Sequence, residues 1–257
     1  QEIMTHDQGF GLEGVVRQRA GDLSGILNGV DYDQWNPWSD PYLKPHHGEN
    51  NRTVKRNCKT HMRQMLDLPD LSATPVIAMI SRLTAQKGFD LVERIFDRLI
   101  ARDLQFVLLG SGDDRYAEFF RAAALRYPDR VAARIGFDEQ FAHRIEAGAD
   151  LFLMPSLYEP CGLNQMYSLK YGTIPIVRAV GGLKDTVQEY DPQTKSGTGF
   201  VFESYDPETM LDTIDRCLAA FQDKTAWAEL RRRAMSMDFS WDRSAQAYSA
   251  LYQQLMI

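Results

Sequence analysis

The sequence predicts an α/β fold, a Rossmann-like doubly wound parallel sheet. From Pro75 onward, short apolar runs alternate with longer amphipathic stretches, which is typical of βαβ units. The apolar runs are rich in β-branched residues and have the length of buried strands, whereas the amphipathic stretches have the length of helices. Connections of this kind place helices on both faces of a mostly parallel sheet.

Each predicted element follows from this alternation. The strands are the short apolar runs at 75–81, 106–109, 131–135, 151–154 and 174–177. The helices have apolar residues at three- and four-residue steps and span about 49–67, 88–101, 115–126, 139–147, 162–171, 207–222, 224–235 and 241–256. Residues 1–45 are rich in Gly, Asn, Asp, Pro and Trp and are expected to form turns and loops.

Composition and charge exclude several classes of function. The chain has 257 residues and a formal net charge of −6, so we expect no nucleic-acid partner. Three widely spaced cysteines offer neither a disulfide framework nor a zinc pattern. No apolar run approaches the roughly 20 residues that span a bilayer, and no signal peptide is visible, so no membrane partner is expected. The chain begins with Gln1 rather than Met, which suggests an excised fragment.

Four segments follow predicted strands and should therefore share one rim of the sheet, where open α/β sheets bind ligands. In the first segment, Arg82 and Lys87 lie five residues apart between a strand and a helix. Two such cations and a helix N-terminus can converge on one anion, and a departing diphosphate needs this neutralisation. Two solvated loop cations are the alternative interpretation.

The other rim segments carry weaker signals. Gly110 and Gly112 would let a ligand approach the backbone, and Asp113 could cap the next helix, but an ordinary turn explains them equally well. Glu159, followed by the free amides of Cys161–Leu163 at a helix start, suits the hydroxyls of a bound sugar. A carboxylate that complements the helix dipole is the alternative for Glu159, and a small buried side chain is the alternative for Cys161.

Two further residues are ambiguous by themselves. Phe137 follows a strand at the same rim and could stack on a base or pack in the fold. His143 lies within a predicted helix, where a single histidine is more often structural than catalytic.

Taken together, the motifs resemble the bacterial glycogen synthase and plant starch synthase family, which are retaining glucosyltransferases of the GT-B fold. The matching segments occur in family order and cover nearly the whole chain: 11–15, 25–31, 81–88, 143–145, 159–163, 169–175, 181–187 and 237–241. The resemblance implies that this chain is the C-terminal, donor-binding half of such an enzyme.

The resemblance also implies roles for individual residues. Arg82 and Lys87 would bind the diphosphate of ADP-glucose, and Glu159 would hydrogen-bond the transferred glucose. Tyr167 stands where many related transferases have a second glutamate, and Asn164 stands where bacterial members often carry threonine. The nucleotide-sugar-binding residues implied in this way are Asn28, Gly110, Asp113, Phe137, His143, Cys161, Gly162, Leu163, Asn164 and Tyr167.

The family transfers glucose from ADP-glucose to the non-reducing end of an α-1,4-glucan, without a metal or other cofactor. By analogy, residues 1–30 are the tail of an N-terminal domain and a hinge, 31–240 are the nucleotide-sugar domain, and 241–257 are a helix that crosses back to the N-terminal domain. The resemblance implies that the missing N-terminal domain is a partner and that the chain is inactive without it. The implied location is the bacterial cytoplasm or the plastid stroma.

Two alternatives remain open at this point. The chain could belong to another GT-B transferase, such as a sucrose synthase or a mannosyltransferase, although Tyr167 favours the synthases. It could also be a non-catalytic nucleotide-binding or glucan-binding module, although such a module has no need of Arg82, Lys87 and Glu159 together. The choice between ADP-glucose and UDP-glucose rests on the family analogy alone.

Overall fold

One parallel sheet forms the centre of the molecule. The structure, a computed structural model, describes residues 2–43 and 52–256. The strands are β1 (Val76–Leu83), β2 (Gln105–Gly112), β3 (Val131–Ile135), β4 (Leu151–Met154), β5 (Ile174–Arg178) and β6 (Phe200–Phe202). They are all parallel and lie in the order β3-β2-β1-β4-β5-β6. This is the strand order of a doubly wound sheet, so the predicted fold class is confirmed.

Helices connect the strands and cover both faces of the sheet. They are α1 (His6–Gly9), α2 (Glu13–Gln18), α3 (Arg52–Met65), α4 (Phe89–Ile100), α5 (Asp114–Arg126), α6 (Glu139–Gly148), α7 (Asn164–Tyr171), α8 (Gly181–Thr186), α9 (Pro207–Gln222), α10 (Lys224–Met235) and α11 (Trp241–Leu255). The predicted helix over 49–67 corresponds to α3, and its residues 49–51 lie outside the described residues. Within the described ranges, no helix has the length and apolarity required to cross a membrane.

The hydrophobic core has two parts, one on each face of the sheet. In β1, Ile77 and Met79 belong to the core under α4, α5 and α9. Val76 and Ala78 alternate with them and belong to the core under α6 and α8. Successive side chains of a strand point to opposite faces, so a strand covered on both sides is apolar at every position. This explains why β1 reads as a continuous apolar run.

The two central strands are longer than the sequence predicts. The sequence places residues 82 and 110–113 in loops, but β1 continues to Leu83 and β2 continues to Gly112. The pairing extends because Gly110 lies opposite Ser81, where a Cβ atom would come within 2.1 Å of the Ser81 carbonyl oxygen. The prediction that Arg82 and Gly110 lie in loops is therefore wrong, and both occupy strand ends.

The start of α7 also differs from the prediction. The helix begins at Asn164 rather than near residue 162, so residues 161–163 form the turn before it. Gly162 has φ of +71°, which is a left-handed conformation outside the helical range. The sequence analysis missed β6, which has three residues, and α8, which has six and begins with two glycines. It also missed the short helices α1 and α2, which lie in the segment 1–45 expected to form turns and loops.

Candidate functional site

Two loops meet where the winding of the sheet reverses. The chain runs one way from β1 to β3 and the other way from β4 to β6, so the ends of β1 and β4 border the crevice where such sheets bind ligands. The segments that follow these strands touch each other: the Leu157 N–H donates a hydrogen bond to the Gln86 carbonyl at 2.8 Å. This crevice is the candidate site.

Gly88 makes this close approach possible. It has φ of +78°, and a Cβ atom at this position would lie 2.1 Å from the carbonyl oxygen of Pro155. Both the left-handed backbone and the lack of space therefore require glycine. The contact fixes the loop after β1 against the loop after β4.

An ion pair crosses the crevice between these loops. Lys87 Nζ lies 2.5 Å from Glu159 Oε2, and the two side chains are 17% and 9% exposed. The hydroxyl of Ser156 donates a second hydrogen bond to the same carboxylate oxygen at 3.2 Å. Two of the three residues predicted to be catalytic are thus in direct contact, which the sequence did not predict.

Hydrogen bonds to backbone carbonyl oxygens fix the loop that carries Glu159. At the end of β5, Arg178 Nη1 donates to the carbonyl oxygens of Ser156 at 3.2 Å and Leu157 at 2.6 Å. At the start of α8, the Gly182 N–H donates to the Glu159 carbonyl at 3.1 Å. Arg178 was missed by the sequence analysis, although an arginine at a strand end on this rim was a signal that could have identified it.

Around the ion pair lies a pocket of about 220 Å³, here called the smaller pocket. Its lining residues are Ile80, Ser81, Arg82, Lys87, Met154, Ser156, Glu159, Gly162, Leu163 and Asn164. Six of them were predicted as site residues. The pocket combines two cations, one carboxylate and the turn before α7, so it suits a ligand with both anionic oxygens and hydroxyl groups.

A second cavity of about 480 Å³, here called the larger pocket, adjoins the first and is lined mainly by apolar atoms. Its lining residues are Gln34, Trp35, Ile80, Ser81, Arg82, Leu109, Gly110, Ser111, Gly136, Phe137, Asp138, Glu139, Ala142, Glu146, Asn164 and Tyr167. Phe137 is 90% exposed at its rim. A cavity of this size with an exposed aromatic ring suits a flat heterocycle.

The two pockets share a boundary. Ile80, Ser81, Arg82 and Asn164 line both of them. The Asn164 side-chain amide donates to the Ile80 carbonyl at 2.6 Å, which fixes the start of α7 at this boundary. Arg82 is exposed, and no salt bridge or side-chain hydrogen bond connects it to the rest of the described chain. A ligand that occupies both pockets must pass this unpaired guanidinium group.

One wall of the larger pocket is an aromatic stack. Trp35 lies between Tyr167 and His143, with ring centroids 3.9 Å and 3.7 Å away. His143 is 2% exposed and lines neither pocket, and its predicted contact with the nucleotide stays a prediction. It lies behind Trp35 because its Nδ1 is 2.7 Å from the buried carboxylate of Asp40.

The buried carboxylate of Asp40 supports the aromatic stack through hydrogen bonds. Burial would raise the pKa of this carboxyl, but hydrogen bonds from His143 and Tyr171 bring the pKa below its usual value. The Tyr171 hydroxyl donates to Asp40 Oδ2 at 2.5 Å. An ionised Asp40 therefore holds His143, and with it the stacked ring of Trp35, in place.

Three other predicted residues line neither pocket. Asp113 caps α5, where its carboxylate accepts a hydrogen bond from the Arg115 N–H at 3.0 Å. The Asn28 backbone hydrogen-bonds the thiol of Cys161, whose pKa is raised by burial. Asn28 and Cys161 thus contact each other beside the Glu159 loop rather than in the pockets. The direct ligand contacts of these three residues stay predictions.

Glu146 is a pocket residue that the sequence analysis missed. It is 1% exposed on α6 and lines the larger pocket. Its Oε2 accepts a hydrogen bond from the Ser168 hydroxyl at 2.8 Å, and burial raises its pKa to about 8. An acidic residue beside the apolar positions Ile145 and Ala147 was a signal that could have identified it.

In residues 2–43 and 52–256, no group of three or more His, Cys, Asp or Glu side chains is arranged to hold a metal ion. Arg82 and Lys87 are the cations that the described site itself supplies.

Sequence comparison matches this chain to other proteins. Residues 68–233 match the family model described as "Glycosyl transferases group 1". A glycogen synthase from Anaeromyxobacter sp. (strain Fw109-5) is 54% identical over 255 residues, which are 99% of this chain and 54% of that protein. A glycogen synthase from Geobacillus stearothermophilus is 48% identical over 256 residues, which are 100% of this chain and 53% of that protein.

Structural comparison matches the catalytic domain of starch synthase IV from Arabidopsis thaliana, bound to ADP and acarbose. The TM-score is 0.91 and the sequence identity is 35%, and the match covers 99% of this chain and 53% of that chain. This chain therefore spans about half the length of the curated relatives it matches.

Proposed function

Because this chain belongs to the glycosyl transferases group 1 family, we propose that it is the donor-binding half of a retaining glucosyltransferase. The proposed enzyme moves glucose from ADP-glucose to the non-reducing end of an α-1,4-glucan. Two findings support this proposal: the similarity to glycogen synthases over nearly the whole chain, and the similarity to a starch synthase that is bound to ADP and acarbose. The proposed ligands are ADP-glucose, ADP and the glucan acceptor.

The main support for the proposal is that the two pockets share a boundary. A nucleoside diphosphate sugar has a flat heterocycle at one end, a polyhydroxylated ring at the other and two phosphates between them. The larger pocket suits the nucleoside, the smaller pocket suits the sugar, and Arg82 lies at the boundary where the phosphates would pass. The order of groups in the proposed ligand therefore matches the order of groups in the site.

In the proposed reaction, departure of ADP leaves negative charge on the phosphate oxygen that was bonded to glucose. Arg82 and Lys87 would stabilise this charge, assisted by the backbone amides before α7, because fixed positive groups act strongly in a partly water-excluded site. Glu159 is neutralised by Lys87 at 2.5 Å, so we assign it to accept hydrogen bonds from glucose hydroxyls rather than to attack the sugar. The acceptor 4-hydroxyl attacks the anomeric carbon from the face that ADP leaves and gives its proton to the departing phosphate oxygen, so the anomeric configuration is retained.

We further propose that transfer requires the N-terminal domain of a longer protein. Residues 27–30 pack against the start of α11: the Val30 N–H donates to the Phe239 carbonyl at 2.7 Å, and the Ser244 hydroxyl donates to the Leu27 carbonyl at 2.8 Å. Beyond this contact, Tyr252 and Leu255 on α11 are 61% and 76% exposed. These exposed side chains support the proposed assignment of 1–30 and 241–257 as segments that contact another domain.

The proposed location is the bacterial cytoplasm rather than a plastid. The two glycogen synthases compared above come from bacteria and are 54% and 48% identical to this chain.

The experiment that tests the proposed site is a calorimetric titration of the 257-residue chain with ADP and with UDP. We expect ADP to bind more tightly than UDP, and Arg82→Ala to weaken ADP binding by about 30-fold, because a charge-assisted contact contributes about 2 kcal/mol. Arg126→Ala is the control, since that arginine pairs with Asp97 on an exposed surface away from the site. Equal ADP affinity in the wild type and the Arg82→Ala variant would reject the proposed diphosphate position.

A further inference from the structure

One buried carboxylate joins three separate segments of the chain. Asp40 is fully buried, and its Oδ1 accepts a hydrogen bond from the Tyr42 N–H of its own loop at 2.9 Å. Its Oδ2 lies 2.7 Å from His143 Nδ1 on α6. The same oxygen accepts a hydrogen bond from the Tyr171 hydroxyl on α7 at 2.5 Å. The loop, α6 and α7 are therefore held together at this carboxylate.

The same three segments supply walls of the larger pocket. Trp35 from the loop, Glu139 from α6 and Tyr167 from α7 all line it. Asp40 itself lines neither pocket. A residue in this position affects a ligand through the side chains that it holds, because the ligand does not reach the residue itself.

A stack of three aromatic rings leads from Asp40 to the pocket. The His143 and Trp35 rings are 13° from parallel with centroids 3.7 Å apart, and the Trp35 and Tyr167 rings are 2° from parallel with centroids 3.9 Å apart. Rings at this spacing are in van der Waals contact, so a shift of the imidazole shifts the other two rings. Since Trp35 covers one face of Tyr167, a ligand in the pocket can reach only the opposite face and the edge of that ring.

We propose that Asp40 is a positioning residue for the bound nucleoside, because it fixes the ring of Tyr167 through His143 and Trp35. This inference rests on the proposed nucleotide site, since it takes a nucleoside as the occupant of the larger pocket. An ionised carboxylate accepts stronger hydrogen bonds than a neutral amide does, so Asp40 sets the orientation of the imidazole ring. A wall that is already in place needs no ordering when the nucleoside binds.

The test is calorimetric titration of the 257-residue chain with ADP and with pyrophosphate, which has no nucleoside. We expect Asp40→Asn to weaken ADP binding about fivefold, because this loss of about 1 kcal/mol is the cost of ordering one side chain on binding. Pyrophosphate should bind the variant and the wild type within twofold. Equal losses for the two ligands would overturn the inference, because the change would then not concern the nucleoside.

A matched control separates positioning from a loss of stability. Asp150 is another buried carboxylate, paired with Lys59 at 2.6 Å, but it lies at the amino ends of β1 and β4, on the edge of the sheet opposite the pockets. We expect Asp150→Asn to bind ADP within twofold of the wild type, because a less stable protein that remains folded keeps its affinity. A loss in Asp150→Asn equal to that in Asp40→Asn would reject the positioning role.

A second variant decides the question if Asp40→Asn does not fold. His143→Ala removes the ring between Asp40 and Trp35, and we expect the same fivefold loss for ADP and no loss for pyrophosphate. Folded variants at these two positions that bind ADP as the wild type does contradict the inference. Absence of ADP binding in the wild type rejects the proposed function itself, and the inference with it.

Discussion

Gly88 gives the sharpest test of how the site is built. In a Gly88→Ala variant, the new Cβ atom would lie 2.1 Å from the Pro155 carbonyl oxygen and 2.8 Å from the Pro155 Cγ atom. Real contacts of a Cβ atom are essentially never shorter than 3.0 Å, so the two loops must separate by roughly 1 Å. The loops on either side carry Lys87 and Glu159.

The energetic cost has two parts. An alanine at φ of +78° costs about 1 kcal/mol relative to glycine, and overpacking of two backbones costs about 2 kcal/mol more. We therefore expect Gly88→Ala to lower the free energy of unfolding by about 3 kcal/mol. We also expect it to weaken ADP binding about tenfold, because the ion pair across the crevice moves with the loops.

The assays are urea denaturation followed by circular dichroism, and calorimetric titration with ADP. Gly14→Ala is the matched control, since nothing lies within 4 Å of a Cβ atom at that position and its φ is not positive. A Gly88→Ala variant that unfolds within 0.5 kcal/mol of the wild type (about the usual spread of surface substitutions) and binds ADP equally well would refute this reasoning.

Three further predictions concern charged groups. Lys87→Met should weaken ADP binding about tenfold by calorimetry, whereas Glu159→Gln should change it by less than about threefold, because only the lysine faces the phosphates in our proposal. His143→Leu should lower the free energy of unfolding by about 2 kcal/mol in urea, because it leaves the buried carboxylate of Asp40 without one of its hydrogen-bond partners. Glu146→Gln should gain stability relative to the wild type as the pH rises from 5 to 8, by up to about 1.4 kcal/mol per pH unit.

The sign of the last effect follows from the pKa of Glu146, which burial raises from 4.5 to about 8. Between these values the folded state holds a proton that the unfolded state releases, so the wild type loses stability as the pH rises. Glutamine has no proton to lose. Parallel stability profiles for the two proteins would contradict this prediction.

The other two predictions have their own controls. Lys184→Met removes an exposed lysine on α8 and should leave ADP binding unchanged. Equal losses in Lys87→Met and Lys184→Met would show a general charge effect rather than a site. For His143→Leu, a loss below about 1 kcal/mol would show that Asp40 keeps its charge without the histidine.

Much of the fold could be predicted from the sequence because buried parallel strands leave a clear pattern. β1 is apolar at every core position, since helices cover both faces of the sheet. The family resemblance read from ordered motifs is confirmed by the glycogen synthase and starch synthase comparisons. The domain boundaries and the individual site roles stay predictions.

The details that could not be predicted depend on contacts between distant segments. The extension of β2 depends on Gly110 fitting against Ser81, which is not visible in either segment alone. The three-residue β6 is too short to show a period.

Only part of the site could be predicted from the sequence, for a similar reason. Arg82 lies at the end of β1, and Lys87 and Glu159 follow β1 and β4, so topology alone brings them together at the smaller pocket. Trp35 comes from a loop outside the sheet, and its place between His143 and Tyr167 has no local signal. His143 was assigned to the ligand through the family resemblance, and its hydrogen bond with Asp40 has no local signal in the sequence.

The central claim is that the two adjoining pockets hold one nucleoside diphosphate. The most direct measurement is a crystal structure of the 257-residue chain with ADP. We predict that the adenosine occupies the larger pocket against Phe137 and that the diphosphate contacts Arg82 at the boundary with the smaller pocket. An ADP molecule bound elsewhere on the chain, with both pockets empty, would contradict the account.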